Sequence, residues 1–194
     1  MKLQSRKTRF EGFTLIEMLV ALAILSLMAY LAVSAYDGSR SKAEVMVALA
    51  RQVANANIAL KNDTGCYVSV PQALFDTTSA QNPADNYCGM TFGNNWVRPY
   101  LAVYPVDGSG NIKADKIASG VTLSLTQQAT ASGTIYAVKF SNVPLDIIKQ
   151  GLISCNGNST AQGTFPAQRC ITTASLGSSS TGLGDFSMMY DQTQ

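Results

Sequence analysis

Histidine is absent from the 194 residues, and charge of either sign is scarce at 13%. Each lack removes a class of function. Without histidine there is no Ser-His-Asp or Cys-His nucleophile pair, no imidazole metal ligand and no imidazole acid or base. No paired-carboxylate cluster stands out in its place. There is no P-loop, no G-x-G-x-x-G turn and no C-x-x-C pair, so the sequence announces neither a nucleotide site nor a zinc site. The formal charge is only +2, and it is concentrated at the start of the chain. Residues 1–12 hold four of the 14 basic groups and one of the 12 acidic ones. The remainder is close to neutral, which is no electrostatic footprint for nucleic acid.

What the sequence does have is a long apolar run, FTLIEMLVALAILSLMAYLAVSAY, from Phe13 to Tyr36. As a helix it would be about 36 Å long, enough to cross the hydrocarbon core of a bilayer. It contains one charge, Glu17, and no Lys, Arg or His. A carboxylate in hydrocarbon costs about 3 kcal/mol on insertion scales, so such a residue is normally partnered or functional. Before the run stands a basic leader with Lys2, Arg6, Lys7 and Arg9, which holds its own end in the cytoplasm.

The junction reads Gly12-Phe13-Thr14-Leu15-Ile16-Glu17. A glycine, then this string, then about 20 apolar residues resembles the class III signal of type IV prepilins and of the pseudopilins of type II secretion. The resemblance implies cleavage between Gly12 and Phe13 by a membrane prepilin peptidase, N-methylation of Phe13, and a filament-assembly role for Glu17. It implies a homo-oligomeric helical filament built through the N-terminal helix, with the assembly machinery as a further partner. It places the precursor in the bacterial inner membrane and the product in an extracellular pilus. Adhesion, motility and DNA or conjugative transfer are the roles such fibres serve. A minor pilin or a pseudopilin is the alternative within the family. It implies no cofactor and no enzymatic activity. Two departures stand out: Ser34 occupies the place where a proline is common in pilins, and Ser26 the place of a mid-run glycine. Without proline, a straighter helix is expected.

The rival reading is an ordinary secretory signal, with Ala32-Val33-Ser34 as a small-x-small cleavage site and a secreted or membrane-anchored binding domain as product. Glu17, the junction string and the length of the run speak against it.

Beyond the run, Val45, Leu49, Val53, Ala56 and Leu60 recur at spacings of three and four, one face of an amphipathic helix. The expectation is one helix from about residue 14 to 61, about 70 Å long, ended at Asn62-Asp63-Thr64-Gly65. Strands are expected at 96–104, with Pro99 weakening its first half, then around Val121, Leu123 and Leu125, then around Tyr136, Val138 and Phe140. Val143-Pro144 opens a short helix with Leu145, Ile148 and Leu152 on one face, and Phe186, Met188 and Tyr190 alternate as a last strand. The fold class is α+β. The resemblance implies the pilin fold, a long N-terminal helix packed by its second half on an antiparallel sheet. The organisation reads as leader 1–12, apolar helix 13–36, amphipathic helix 37–62 and globular head 63–194.

Four cysteines, Cys66, Cys88, Cys155 and Cys170, all lie beyond the apolar run, which suits two disulfides in an exported domain. Three pairings exist. Cys66–Cys88 and Cys155–Cys170 are preferred because each brackets one turn-rich segment. By the resemblance, the Cys155–Cys170 region is the solvent-facing part of a pilin head, where adhesive function resides. Asp107, Ser109, Asn111 and Asp115 carry side-chain oxygens at spacings like those of a calcium loop, but Ala118 stands where the bidentate acid belongs, so a plain turn is the stronger reading.

Overall fold

The computed structural model describes residues 15–34, 38–159, 164–176 and 182–193. The chain divides into two units, Met1–Asp37 and Gly38–Gln194. In the first, helix α1 runs from Leu15 to Ser34. Neither proline nor glycine interrupts it, and the Ser26 hydroxyl donates back to the Ala23 carbonyl at 2.9 Å. The expected passage of one helix into the next turns on residues 35–37, which lie outside the described residues.

The second unit opens with α2, Gly38–Thr64. It ends where Gly65 takes a φ of 82° and its N–H returns to the Lys61 carbonyl at 2.7 Å. Glycine tolerates that left-handed conformation without a Cβ penalty. An irregular connection follows, with a 3-10 turn at Pro71–Leu74 and a short helix α3 at Thr77–Ala80. Asp76 caps α3 by accepting from the Thr78 N–H. Two further 3-10 turns follow at Pro83–Asp85 and Gly93–Asn95, and the remaining elements are β1 (Ile112–Lys113), β2 (Thr122–Thr130), β3 (Gly133–Pro144), α4 (Leu145–Asn156), β4 (Cys170–Ile171) and β5 (Leu183–Thr193).

All strand pairs are antiparallel, and the sheet order is β1-β2-β3-β5-β4. The result is the expected α+β class, an N-terminal helix followed by a second helix and a five-stranded antiparallel sheet, consistent with the pilin fold. Helices α2 and α4 pack against one another and on the sheet, enclosing Met46, Leu60, Leu123, Phe140, Ile148, Leu152, Phe186 and Met188, all fully buried. The alternating apolar residues of the three long strands supply that face, as period-2 patterning requires. A smaller cluster of Ile135, Ala137 and Phe165, flanked by Ile171 and Met189, forms apart from it.

Three sequence expectations are corrected. First, the buried residues of α2 are Ala43, Met46, Val47, Ala50, Val53, Ala54, Ala56, Asn57, Leu60 and Thr64, so only part of the expected stripe is buried. Val45 is 43% exposed and Leu49 only half-buried. Val53, Ala56 and Leu60 of the expected stripe are buried, but at about 3.6 residues per turn the buried face is turned toward Met46, Ala50 and Asn57 and away from Val45 and Leu49. Alanines 43, 50 and 54 hold the face actually used, and side-chain hydropathy gave them little weight. Second, residues 96–104 form no strand. Pro99 removes one ladder donor, and the Tyr100 and Leu101 N–H groups go to the Leu74 carbonyl at 2.7 and 3.3 Å. The segment is a strap over the 3-10 turn. Third, the sheet holds β1 and β4 beyond the expected strands, two residues each and too short to leave a pattern to read.

Two bulges shift the β3–β5 register, at Tyr136/Ala137 and between Phe140 and Val143. The second contains Asn142 at φ 61°, a region where asparagine is enriched.

Candidate functional site

Two groups of residues carry the functional reading, one on α1 and one on the head. Glu17 lies in the first turn of α1. Around it Leu15, Ile16, Met18, Leu19 and Val20 are exposed, and the exposed apolar surface continues through Met28. An exposed apolar surface of that extent marks an interaction surface for lipid or protein. The side chains described for α1 end at Met28. Among the described residues no helix is long and apolar enough to cross a membrane; the apolar run in the sequence extends further, to Tyr36. The cleavage pair Gly12 and Phe13 lies outside the described residues.

On the head, Cys66 joins Cys88 across a separation of 22 residues and Cys155 joins Cys170 across 15, with Cα–Cα distances of 6.2 and 6.1 Å. The first bond holds the connection that follows α2. The second ties the end of α4 to β4. Asn156 reinforces it: its Nδ2 donates to the Cys170 carbonyl at 2.7 Å and its Oδ1 accepts from the Cys170 N–H at 3.1 Å.

The calcium-like loop is used as a turn. The Asp107 carboxylate accepts from the N–H groups of Ser109 and Asn111 and from the Asn111 side-chain amide, at 2.8 to 3.1 Å. Burial would raise its pKa, but these donors outweigh burial and hold it below the usual range. Asp115 accepts instead from the Gly120 N–H at 3.3 Å. Among the described residues no three acids or cysteines gather in a metal-holding group.

The sequence reading missed a buried polar and aromatic cluster where α2, the disulfide-held connection and the end of β5 meet. Asn57 is fully buried. It donates to the Val68 carbonyl at 3.2 Å and the Tyr190 hydroxyl at 2.8 Å, and accepts from the Val68 N–H at 3.1 Å. Tyr67 donates to Asp191, and the Lys61 ammonium reaches the same carboxylate at 3.2 Å while lying 4.5 Å from the Tyr67 ring centroid. The Tyr136 ring lies tilted between those of Tyr67 and Tyr87, with centroids 4.3 and 5.7 Å away. Burial, first of all, pushes the Tyr67 and Tyr190 hydroxyls well above their ordinary range and Tyr87 to about 12. Burial also works against the Asp191 carboxylate, but the Tyr67 and Lys61 hydrogen bonds prevail and lower it. The signal that could have found the cluster is the Asn57 position: it falls on the 50–53–57–60 face that repeats at helical spacing.

Trp96, Tyr100 and Tyr104 pack partly buried against the main core, and the Trp96 indole donates to the Ala73 carbonyl at 3.2 Å. A groove of about 490 Å³ lies between α2, at Val45 and Leu49, and the segments of Val103, Tyr104 and Lys116.

Residues 7–32 match the prokaryotic N-terminal methylation motif, the class III signal of type IV pilins and pseudopilins. The motif is structural rather than enzymatic, and it marks a substrate of prepilin peptidase held in the membrane as a precursor. No curated protein and no solved structure matches the chain.

Proposed function

We propose that this chain, which carries the methylation motif of prepilins, is a structural subunit of a type IV pilus. The observation that carries the reading is the joint one: the motif spans residues 7–32, and within it Glu17 rides on a helix whose apolar side chains are exposed from Leu15 through Met28. Cleavage between Gly12 and Phe13 frees an ammonium group at Phe13, which is then methylated. Before assembly the apolar helix holds the precursor in the inner membrane with the head outside. During assembly the same helix exchanges lipid for the helices of neighbouring copies. Glu17 of one copy then meets the Phe13 amine of the next. Such a pair need not add net stability, since desolvation of both charges offsets their attraction. Its value is axial register, because a step out of register strands two charges in an apolar core.

The disulfide-bounded region from Cys155 to Cys170 is the part of the head assigned to contact with surfaces outside the cell. The role rests on the exposure of Gly157, Asn158, Thr164, Pro166 and Ala167 and on the resemblance to pilin heads.

N-terminal sequencing of the mature protein tests the processing step. N-methylated Phe13 is expected; a start near Ala35 overturns the reading in favour of an ordinary secretory signal. Glu17→Val tests the assembly step. The variant is expected to be cleaved normally and to yield few sheared fibres; fibres in wild-type amounts would remove Glu17 from the mechanism.

A further inference from the structure

We infer that the β2 edge of the head is a docking strand for the same edge of a second copy. Among the described residues both outer sides of the sheet are partly covered. On one side β5 is covered by β4 at Ser187 and Met188, and the Met189 N–H donates to the Arg169 carbonyl at 2.8 Å; beyond it the strand carries a charge, Asp191. On the other side β1 reaches only Thr122 and Leu123. From Thr126 to Thr130 no described strand or loop supplies a backbone hydrogen bond to the outer side of β2.

Natural edges of this kind are protected by charge, proline, a bulge or extreme shortness. This one has none of those devices. The stretch reads Thr-Gln-Gln-Ala-Thr, without charge or proline. Its pairing with β3 is regular through every residue from Thr122↔Ser141 to Thr130↔Gly133, so no bulge turns it away. Gln127, Gln128 and Ala129 are exposed. The Thr126 and Thr130 hydroxyls donate back to the Ala137 and Gly133 carbonyls of β3, at 3.3 and 2.7 Å, and so do not block the outer side.

A second copy fits this edge for two reasons. The segment is neutral, so an identical strand meets it without like-charge repulsion, which directly opposed charges would impose. Of the open stretches of β2 and β5 among the described residues, this is the uncharged one, so pairing it with its twin uses it up and closes a two-fold dimer instead of propagating a sheet. The contact is antiparallel and centred on Gln128: Gln128 faces Gln128, Gln127 faces Ala129, and Thr126 faces Thr130. A two-fold contact differs from the screw-related packing of helices in a fibre. It would therefore join heads of two fibres, or of two unassembled copies, and does not depend on the filament reading.

Cysteine cross-linking of the full processed chain in detergent micelles tests it. In an antiparallel pair, directly opposed Cα atoms lie about 4.5–5.5 Å apart, within disulfide reach. Gln128→Cys under mild oxidation is expected to give a dimer linked through position 128 of both copies, identified by mass spectrometry, at least tenfold faster than Asn94→Cys on the exposed 3-10 turn Gly93–Asn95, outside the sheet. Adding Gln127→Lys to Gln128→Cys should cut that rate at least tenfold, with an unchanged circular dichroism spectrum. Equal rates at positions 128 and 94, or a rate indifferent to Gln127→Lys, would overturn the proposal.

Discussion

Asn57 shows what one residue does here. Its amide satisfies both backbone groups of Val68 and the Tyr190 hydroxyl from a fully buried position on α2. Truncation strands several polar groups at once, each costing about 1–3 kcal/mol when left unsatisfied. Asn57→Ala is therefore expected to lose about 3 kcal/mol or more of stability, read from a denaturant melt, while Tyr190→Phe, which removes one acceptor, loses about 1 kcal/mol. The titrating neighbours set the pH limits. The Asp191 pKa is lowered in the folded protein from its ordinary 3.8, so its contribution is present above that value and is lost as pH falls through the folded value. Tyr67, Tyr87 and Tyr190 are shifted upward from 10.0. Their contribution is complete below pH 10 and disappears as pH rises further, through about 12 for Tyr87. Ultraviolet titration should find these three among the last of the 8 tyrosines to ionise, together with unfolding. Ionisation of all eight near the ordinary tyrosine value in a folded protein would contradict this.

Between elements, the decisive contact is the approach of α4 to α2 and β5. A Cβ on Gly151 would stand 2.6 Å from the Met46 Cε and 3.2 Å from a Phe186 ring carbon. Alanine gains about 1 kcal/mol of helix propensity over glycine, but overpacking costs about 1–3 kcal/mol. Gly151→Ala is expected to be neutral to mildly destabilising, by up to about 2 kcal/mol. A melting curve moved upward would show that the two helices have room to spare. The disulfides act on longer segments. In the chain-entropy model, closing the 15-residue separation of Cys155–Cys170 contributes about 3 kcal/mol. Replacing both cysteines by serine should lower stability by about that amount, while Asn156 still holds β4 by its two hydrogen bonds to the backbone of residue 170. Protease mapping of residues 157–169 would register the change as faster cleavage there.

At the scale of the whole molecule, the two units have opposite relations to solvent. Buried hydrophobic residues begin at Ala43 and belong to the Gly38–Gln194 unit, while the described side chains of α1 are exposed. A fragment starting at Gly38 is expected to stay folded and monodisperse without detergent at low concentration, with both disulfides formed. The chain from Phe13 is expected to need detergent or lipid. Size-exclusion chromatography with circular dichroism distinguishes the outcomes; an unfolded fragment would mean that α1 supplies part of the stability of the head.

The sequence alone was enough for whatever depends on neighbours along the chain. The leader, the Gly12–Phe13 junction, Glu17 and the apolar run are contiguous, so the methylation motif could be read directly. Strong period-2 segments at Leu123–Leu125 and Val138–Phe140 likewise announced their strands, and Val143-Pro144 announced α4. Tertiary structure decided everything that depends on residues meeting across the chain. It chose which face of α2 is buried, because that choice rests on α4 and the sheet rather than on hydropathy. It gathered Asn57, Tyr67, Tyr136, Tyr190 and Asp191 from distant segments, with Asn57 and Tyr190 133 residues apart. It left the outer side of β2 open from Thr126 onward, because β1 begins only at Ile112, opposite Leu123. Local pattern is written in the order of the residues, whereas burial, pairing and exposed edges come into being only when distant segments compete for the same surface.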